Sequence, residues 1–310
     1  MFKLHDQLLA DRSAVHEIIS RKNRDWESLK NSSHSVEKSL IVEIFMDPLS
    51  SGFWGFSPFI RRLEMQYSAE LEIVYRTSGM LISWEDFRDK PISCPLDMAE
   101  HWVEQATKYR MPMNSSVWLE HPPHSSFPAS IAYKAAQLQD KFLANAFLRR
   151  LQEMLFIEGR NIAKWKVIRK AAADSGLDIE VLLLQYNNGD GLKTFAEDQK
   201  RSRQEGVQEF PTIHVHNKKG QVRILEPEFN WRFLRNTIID LLPKANLNLQ
   251  KTLWTVQECF VKFESLTFSE LQELTGLEGQ ILYSELNKAE NKGVLGSFGC
   301  SSGRVWRSLN

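Results

Sequence analysis

Cysteine is scarce in this sequence, with only three residues among 310: Cys94, Cys259 and Cys300. They are odd in number and lie far apart, which argues against a disulfide framework and against a zinc site built from cysteine pairs. No Cys-x-x-Cys pair occurs anywhere in the chain. We therefore expect three reduced thiols, as is usual in a reducing cytosol.

An excess of either charge is also missing, because 39 Lys and Arg residues balance 39 Asp and Glu residues. A neutral chain has no overall electrostatic attraction to nucleic acid or to an anionic membrane. We expect neither of these as a partner, although local charged patches stay possible.

Long apolar runs are absent as well. The N-terminal segment is charged throughout and lacks the apolar core of about 7–15 residues that defines a signal peptide. No stretch approaches the ~18 consecutive apolar residues of a membrane-spanning helix. The sequence therefore predicts a cytoplasmic protein that does not associate with a membrane.

What the chain does contain is a β-α-β pattern near its start. Residues 39–46 form a short apolar run, typical of a strand that is buried on both faces. Apolar residues at helical spacing follow from Phe53, and residues 71–81 have the pattern of a second strand. This order favours a parallel strand pair joined by a right-handed crossover.

A helical block and a second group of strands come next. Residues 84–205 are predicted to be mostly helical, in long amphipathic stretches that end with a helix at about Gly191–Glu205. Two further strands are joined by a hairpin turn at Lys218-Lys219-Gly220, and a helix that stops at Pro243 follows them. This order predicts an α/β fold with a thioredoxin-like sheet and a helical insertion.

The chain is predicted to contain four parts. They are an N-terminal extension (1–37), a thioredoxin-like domain (38–243, with the helical insertion at about 84–205), a linker (244–251) and a C-terminal domain (252–310).

The C-terminal part has the order of a winged helix: a helix, a turn at Gly276, a second helix, and a Gly-rich wing between two short strands. Residues 251–310 carry six Lys and Arg residues against seven Glu residues. A DNA-binding protein typically makes about 6–10 phosphate contacts, which this composition does not supply. We expect a winged-helix-like unit with a structural or protein-binding role.

A motif follows the first predicted strand. Asp47-Pro48-Leu49, with Trp54 shortly after it, resembles the active-site entry of the DsbA-like thioredoxin-fold family, which reads Asp-Pro-x-Cys-x-x-Cys-Trp. In this alignment Ser50 replaces the first cysteine and Phe53 replaces the second. Residues 205–212 resemble the loop of that family that ends in a cis-proline, which implies a cis bond between Phe210 and Pro211.

The two replacements exclude dithiol–disulfide exchange at this site. In an intact motif a thiolate at a helix N-terminus attacks a disulfide, and the second cysteine resolves the mixed disulfide. The resemblance implies a binding surface instead, because intact members hold extended polypeptide beside the cis-proline loop. We predict no catalytic residue and these contact residues: Asp47, Ser50, Phe53, Trp54, Phe210 and Pro211. Inward packing of Phe53 and Trp54 is the alternative.

The resemblance narrows to the YjbH-type adaptors of Gram-positive bacteria, which present the regulator Spx to the ClpXP protease. It is carried by the helical segment 115–162 and by the C-terminal segment that starts at Glu258, and it covers about residues 38–310. It implies a non-catalytic adaptor that holds a partner protein, such as an Spx-like regulator, for delivery to ClpXP. No cofactor is expected.

Ser50 also allows a second function. A serine at the first cysteine position resembles kappa-class glutathione transferases and hydroxychromene-carboxylate isomerases, in which it bonds the glutathione thiolate. In this alternative Ser50 is catalytic and glutathione is the cofactor. Gly52-Phe53 departs from the polar pair of those enzymes.

A histidine pair raises the question of a metal site. His214 and His216 are two residues apart on a predicted strand, so that their rings point to one face. Zinc needs at least one further ligand, and the candidates are two other histidines, His121 and His124. Without a cysteine or carboxylate cluster in the sequence, we expect no metal site.

Overall fold

The computed structural model describes residues 38–87, 92–227, 230–242 and 251–309. The predicted N-terminal extension and nearly all of the predicted linker lie outside these ranges, so the boundaries of the four parts stay predictions. Residues Ser39–Asn310 form one compact unit. Among the described helices, none is both long and apolar enough to cross a bilayer.

A four-stranded sheet lies at the centre of this unit. Its strands are β1 (Leu40–Met46), β2 (Leu71–Thr77), β3 (Thr212–Asn217) and β4 (Val222–Leu225), in the order β2-β1-β3-β4. β1 runs parallel to β2 and antiparallel to β3, and β3 pairs antiparallel with β4. The predicted parallel pair and the predicted hairpin are both confirmed.

The two parallel strands differ slightly from their predicted form. β1 is buried on both faces, as expected, except at Ile41, whose side chain is exposed. β2 ends at Thr77 and does not reach residue 81. The chain turns away there because the Met80 N–H donates to the Asp47 carboxylate instead of to a neighbouring strand.

Helices form most of the rest of this domain. Two of them, α1 (Ser51–Gly55) and α2 (Ser57–Gln66), connect β1 to β2. Those between β2 and β3 are α3 (Pro95–Tyr109), α4 (Ser116–Glu120), α5 (Phe127–Gln139), α6 (Lys141–Phe156), α7 (Trp165–Asp174), α8 (Ile179–Asn187) and α9 (Asp190–Gln204). After β4 comes α10 (Trp231–Leu241). The predicted helical insertion is therefore present.

Two of the long predicted stretches are each divided into two helices. Asp140 separates α5 from α6: its backbone is extended, and its carboxylate accepts hydrogen bonds from the N–H groups of Phe142 and Leu143. Asp178 caps α8 in the same way, after a left-handed Gly176. An aspartate that caps a new helix interrupts the backbone even where the apolar spacing continues across it.

The C-terminal residues form a second sheet with its own helices. The order is α11 (Val256–Lys262), β5 (Ser265–Thr267), α12 (Phe268–Thr275), α13 (Gly279–Asn291), β6 (Leu295–Cys300) and β7 (Gly303–Ser308). The strands are antiparallel in the order β5-β7-β6. Gly276 adopts the left-handed conformation that ends α12. The predicted helix, turn, helix and hairpin are all present.

Buried charges join this C-terminal unit to the thioredoxin-like domain. Arg149 of α6 makes two hydrogen bonds to the Glu270 carboxylate of α12, at 2.8 and 2.9 Å. The same guanidinium bonds to Glu153 at 3.0 Å, and Glu153 accepts from Arg307 of β7 at 2.6 Å. We call Arg149, Glu153, Glu270 and Arg307 the interdomain ion network. Arg149, Glu153 and Glu270 are buried and Arg307 is partly exposed, and the network links α6 to both α12 and β7.

Candidate functional site

Asp47, which follows β1, is a structural residue. Its carboxylate is fully buried and accepts hydrogen bonds from Leu49 N–H at 2.8 Å, Met80 N–H at 2.7 Å and Ser126 Oγ at 2.7 Å. Burial raises the pKa of Asp47, and these three donors partly counteract that rise. The predicted contact role of Asp47 is wrong, because its oxygen atoms are occupied and inaccessible to a partner.

Ser50 is the N-cap of α1. Its backbone is extended, and its Oγ accepts a hydrogen bond from the Phe53 N–H at 3.1 Å. The helix thus begins at Ser51, two residues earlier than the apolar spacing predicted. Ser50 does lie at a helix N-terminus, where the resemblance placed it, but its side chain is only 4% exposed.

Phe53 and Trp54 point into the core, so the inward alternative is confirmed and their predicted exposure to a partner is wrong. The Phe53 ring meets Tyr75 edge to face at 5.8 Å. Trp54 stacks on Phe156 at 5.2 Å, and its Nε1 donates to the Pro112 carbonyl at 2.9 Å. Both rings lie on the sides of α1 that pack against Tyr75 of β2 and Phe156 of α6, so neither is available to a partner.

The cis-proline loop lies directly against α1. The Phe210–Pro211 bond is cis, which confirms the prediction. A Cβ atom added to Gly52 would lie 2.4 Å from the Phe210 carbonyl oxygen, so only glycine permits this approach. The predicted proximity of residues 50–53 to Pro211 is therefore present. Pro211 is buried, whereas Phe210 is partly exposed.

Replacement of Gly52 by alanine should destabilise the protein by about 1–3 kcal/mol, the usual cost of overpacking. The atom that would be displaced is a backbone oxygen, which has no rotamer by which to move aside. Urea unfolding measures the loss. Gly279→Ala is the matched control, because nothing lies within 4 Å of its added Cβ. Equal unfolding midpoints for the two variants would contradict the close approach.

A groove opens beside Ser50 and the cis-proline loop, with a volume of about 660 Å³. Its floor includes residues 49–52, and its walls include apolar side chains at Ile82, Phe87, Val207 and Phe210. Charged residues of both signs also line it, namely Asp86, Lys108, Arg203 and Glu209. The volume suits a tripeptide or a short segment of extended polypeptide.

The sequence did not reveal most of this groove. Ile82, Phe87 and Lys108 belong to segments far from the motif, and the fold alone brings them to it. Ile82 is 56% exposed, but other large apolar side chains of the described residues are exposed to a similar degree, so exposure alone does not single it out.

No cysteine replaces the missing sulfur atoms. Cys94, Cys259 and Cys300 are free thiols, and none of them is among the described residues that line the groove. Cys259 is buried, and burial raises the pKa of its thiol to about 12. Thiol chemistry in the groove therefore has no source in the described part of the chain.

Comparison with known proteins agrees with this fold. The family model Thioredoxin_5, described as thioredoxin, matches residues 44–225. The cytosolic disulfide reductase DsbM from Pseudomonas aeruginosa superposes with a TM-score of 0.52 and 22% identity, over 65% of this chain and 99% of DsbM. At this identity the similarity shows the fold alone.

Several relatives carry the name ClpXP adapter protein SpxH, among them one from Halalkalibacterium halodurans and one from Bacillus subtilis. That of Halalkalibacterium halodurans is 30% identical over 182 residues, 58% of this chain, and the match spans only 60% of the relative's length. That of Bacillus subtilis is 24% identical over 282 residues, 88% of this chain and 91% of the relative. Since the family model alone covers more than half of the chain, this protein belongs to the thioredoxin family.

Proposed function

We propose that this chain is a non-catalytic adaptor, which holds an Spx-like regulator in the cytoplasm and delivers it to the ClpXP protease. The observation that carries the proposal is the groove. It retains the cis-proline loop and the N-terminus of α1, while Ser50 and Phe53 occupy the two positions where sulfur would act. Such a groove binds polypeptide without exchanging disulfides. The two SpxH relatives support the identity of the partners.

The groove has features of a protein-binding surface. Ile82 is largely exposed, and Phe87, Val207 and Phe210 are partly exposed along the same groove. Apolar side chains that remain accessible in a folded protein commonly mark an interaction site. Lys108 and Arg203 are positively charged, and Asp86 and Glu209 are negatively charged, so the charges along the groove balance. The groove therefore selects for shape and apolar contact more than for net charge.

Glutathione chemistry at Ser50 has less support. The Ser50 hydroxyl already accepts the Phe53 N–H and is almost entirely buried. Those contacts make it a helix cap, a role that requires no substrate. A glutathione-dependent enzyme would lose its conjugation or isomerase activity in Ser50→Ala, whereas the adaptor would retain its effect on proteolysis.

Degradation of Spx by purified ClpXP, with and without this chain, tests the proposal. We expect the chain to accelerate degradation, and we expect Ile82→Asp to lower its affinity for Spx roughly tenfold, which corresponds to about 1.4 kcal/mol. Ile281→Asp is the matched control: Ile281 is 54% exposed, close to the 56% of Ile82, and belongs to α13 outside the groove.

The degradation assay tests the adaptor function and the position of the contact surface separately. No acceleration by the unmodified chain would overturn the adaptor function. Acceleration that is lost in Ile281→Asp and kept in Ile82→Asp would preserve the function and move the contact surface to α13. Thermal unfolding of both variants verifies that each is folded, since both side chains are exposed and their replacement should cost little stability.

A further inference from the structure

Three side chains with metal-binding atoms meet on one face of the central sheet. Glu43 of β1 lies opposite His214 of β3, and His216 is two residues further along β3 on the same face. One ligand atom from each of the three lies within 4.8 Å of the other two. Sequence analysis found the histidine pair but not Glu43, because the carboxylate comes from a strand about 170 residues away in the chain.

His214 is the least satisfied of these groups. Its side chain is 0% exposed, and neither ring nitrogen has a hydrogen-bond partner in the described part of the chain. Its Nδ1 lies 3.6 Å from Glu205 Oε2, which is too long for a hydrogen bond. The Phe45 ring packs against the imidazole at 4.9 Å. Buried polar atoms without a partner are rare and costly, and a bound ligand would satisfy one of them.

His216 and Glu43 complete the cluster. His216 Nε2 lies 3.3 Å from Glu43 Oε2 and also lacks a hydrogen-bond partner. The His216 side chain is 24% exposed, although its Nε2 atom is buried. Arg76 Nε donates to Glu43 Oε1 at 2.7 Å and orients the carboxylate, while Oε2 lies near His216 and also accepts a hydrogen bond from Arg201 at 3.3 Å. An outer partner of this kind commonly fixes a ligating carboxylate.

We propose that Glu43, His214 and His216 form a binding site for a divalent transition-metal ion, with zinc as its best match. Two imidazoles and one carboxylate suit zinc and its first-row neighbours, and three protein ligands leave a coordination position for water. The proposal replaces the expectation of no metal site and is independent of the adaptor function.

The charges around the cluster permit a cation. Arg76 and Arg201 are the nearest positive groups, and each is also paired with a second carboxylate, Asp198 and Glu205 respectively. Arg201 lies 3.3 Å from Glu43 Oε2. If a metal ion binds that oxygen, Arg201 can still form its ion pair with Glu205.

Zinc titration of the full chain, first treated with EDTA and dialysed, tests the site. We expect one zinc ion per cluster and a rise in Tm on binding, since a ligand of the folded state stabilises it. Cobalt, used as a spectroscopic probe in place of zinc, should give visible absorption bands. His216→Ala should weaken zinc binding by more than the ~10- to 100-fold typical of losing an outer-shell partner, and Glu43→Gln should do likewise.

His124→Ala is the matched control, because His124 is an exposed histidine outside the cluster. His216→Ala keeps every histidine outside the cluster, so zinc bound at any of those histidines would still be bound in this variant. Unchanged zinc affinity in both His216→Ala and Glu43→Gln would overturn the proposal, as would failure of the unmodified chain to bind zinc. Because His216 is partly exposed, its variant should fold, and a Tm measured without metal verifies this.

Discussion

Replacing Glu270 by alanine should lower the free energy of unfolding by about 3–5 kcal/mol, the usual cost of leaving one member of a buried ion pair without its partner. Glu270 is fully buried and binds both terminal nitrogens of Arg149. Without that carboxylate, the guanidinium remains in a low-dielectric interface with only Glu153 to balance it. Guanidinium chloride unfolding measures the loss.

Glu273→Ala is the matched control on the same helix. Glu273 pairs with Arg62, but both side chains are partly exposed to water, so we expect a loss of at most about 1 kcal/mol. Replacing Arg149 and Glu270 together by apolar residues should restore much of the stability lost in the single variant. Equal losses in Glu270→Ala and Glu273→Ala would show that the interdomain ion network does not stabilise the fold.

The same carboxylate should make stability depend on pH. Burial acts to raise the pKa of Glu270, but Arg149 and Arg61 outweigh it, and the pKa in the folded protein lies below the ordinary 4.5. The unfolded chain therefore binds the proton at a higher pH than the folded protein does. The stabilisation from Glu270 is present above pH 4.5 and is lost as the pH falls through the folded-state pKa. Glu270→Ala should lack this part of the acid transition.

Trp54→Ala should cost about 3–5 kcal/mol, the range for truncating a large aromatic side chain in a core. The substitution removes the stack on Phe156 and the hydrogen bond to the Pro112 carbonyl, and it leaves a cavity beneath α1. The guanidinium of Arg149 also loses the ring above which it lies at 4.7 Å. Thermal unfolding, followed by near-ultraviolet circular dichroism, measures the loss.

Trp165→Ala provides the comparison, since its ring is only half-buried at the start of α7 and its loss should be smaller. Below both melting temperatures, the Trp54 variant should stimulate degradation of Spx in proportion to its folded fraction. If the Trp54 variant were as stable as the unmodified chain but no longer bound Spx, Trp54 would be a contact residue, contrary to its buried position in the structure.

Local patterns predicted the sheet and the neighbourhood of the motif because their determinants are short in sequence. The apolar run of β1, the turn at Lys218–Gly220 and the family loop around Pro211 each lie within a few residues. The start of α1 was missed because the apolar spacing begins only at Phe53, whereas the first two helical residues, Ser51 and Gly52, carry no apolar side chain.

Contacts between segments far apart in the chain could not be predicted from the sequence patterns. Arg149 and Glu270 are 121 residues apart, and their pairing depends on how α6 and α12 pack. The groove walls at Ile82 and Phe210 depend likewise on two loops meeting over α1. Sequence spacing reports the periodicity of one element, so by itself it does not show which elements far apart in the sequence pack together.

Serine and phenylalanine in place of a reactive thiol pair have a consequence for oxidative stress. Peroxide acts on such a pair by closing a disulfide, which changes the shape of the surface around it. Neither Ser50 nor Phe53 has a sulfur atom to oxidise, and the Cys259 thiol, with its pKa raised to about 12, stays protonated and poorly reactive at neutral pH. No disulfide can form between positions 50 and 53, so oxidation cannot reshape the groove through these two residues.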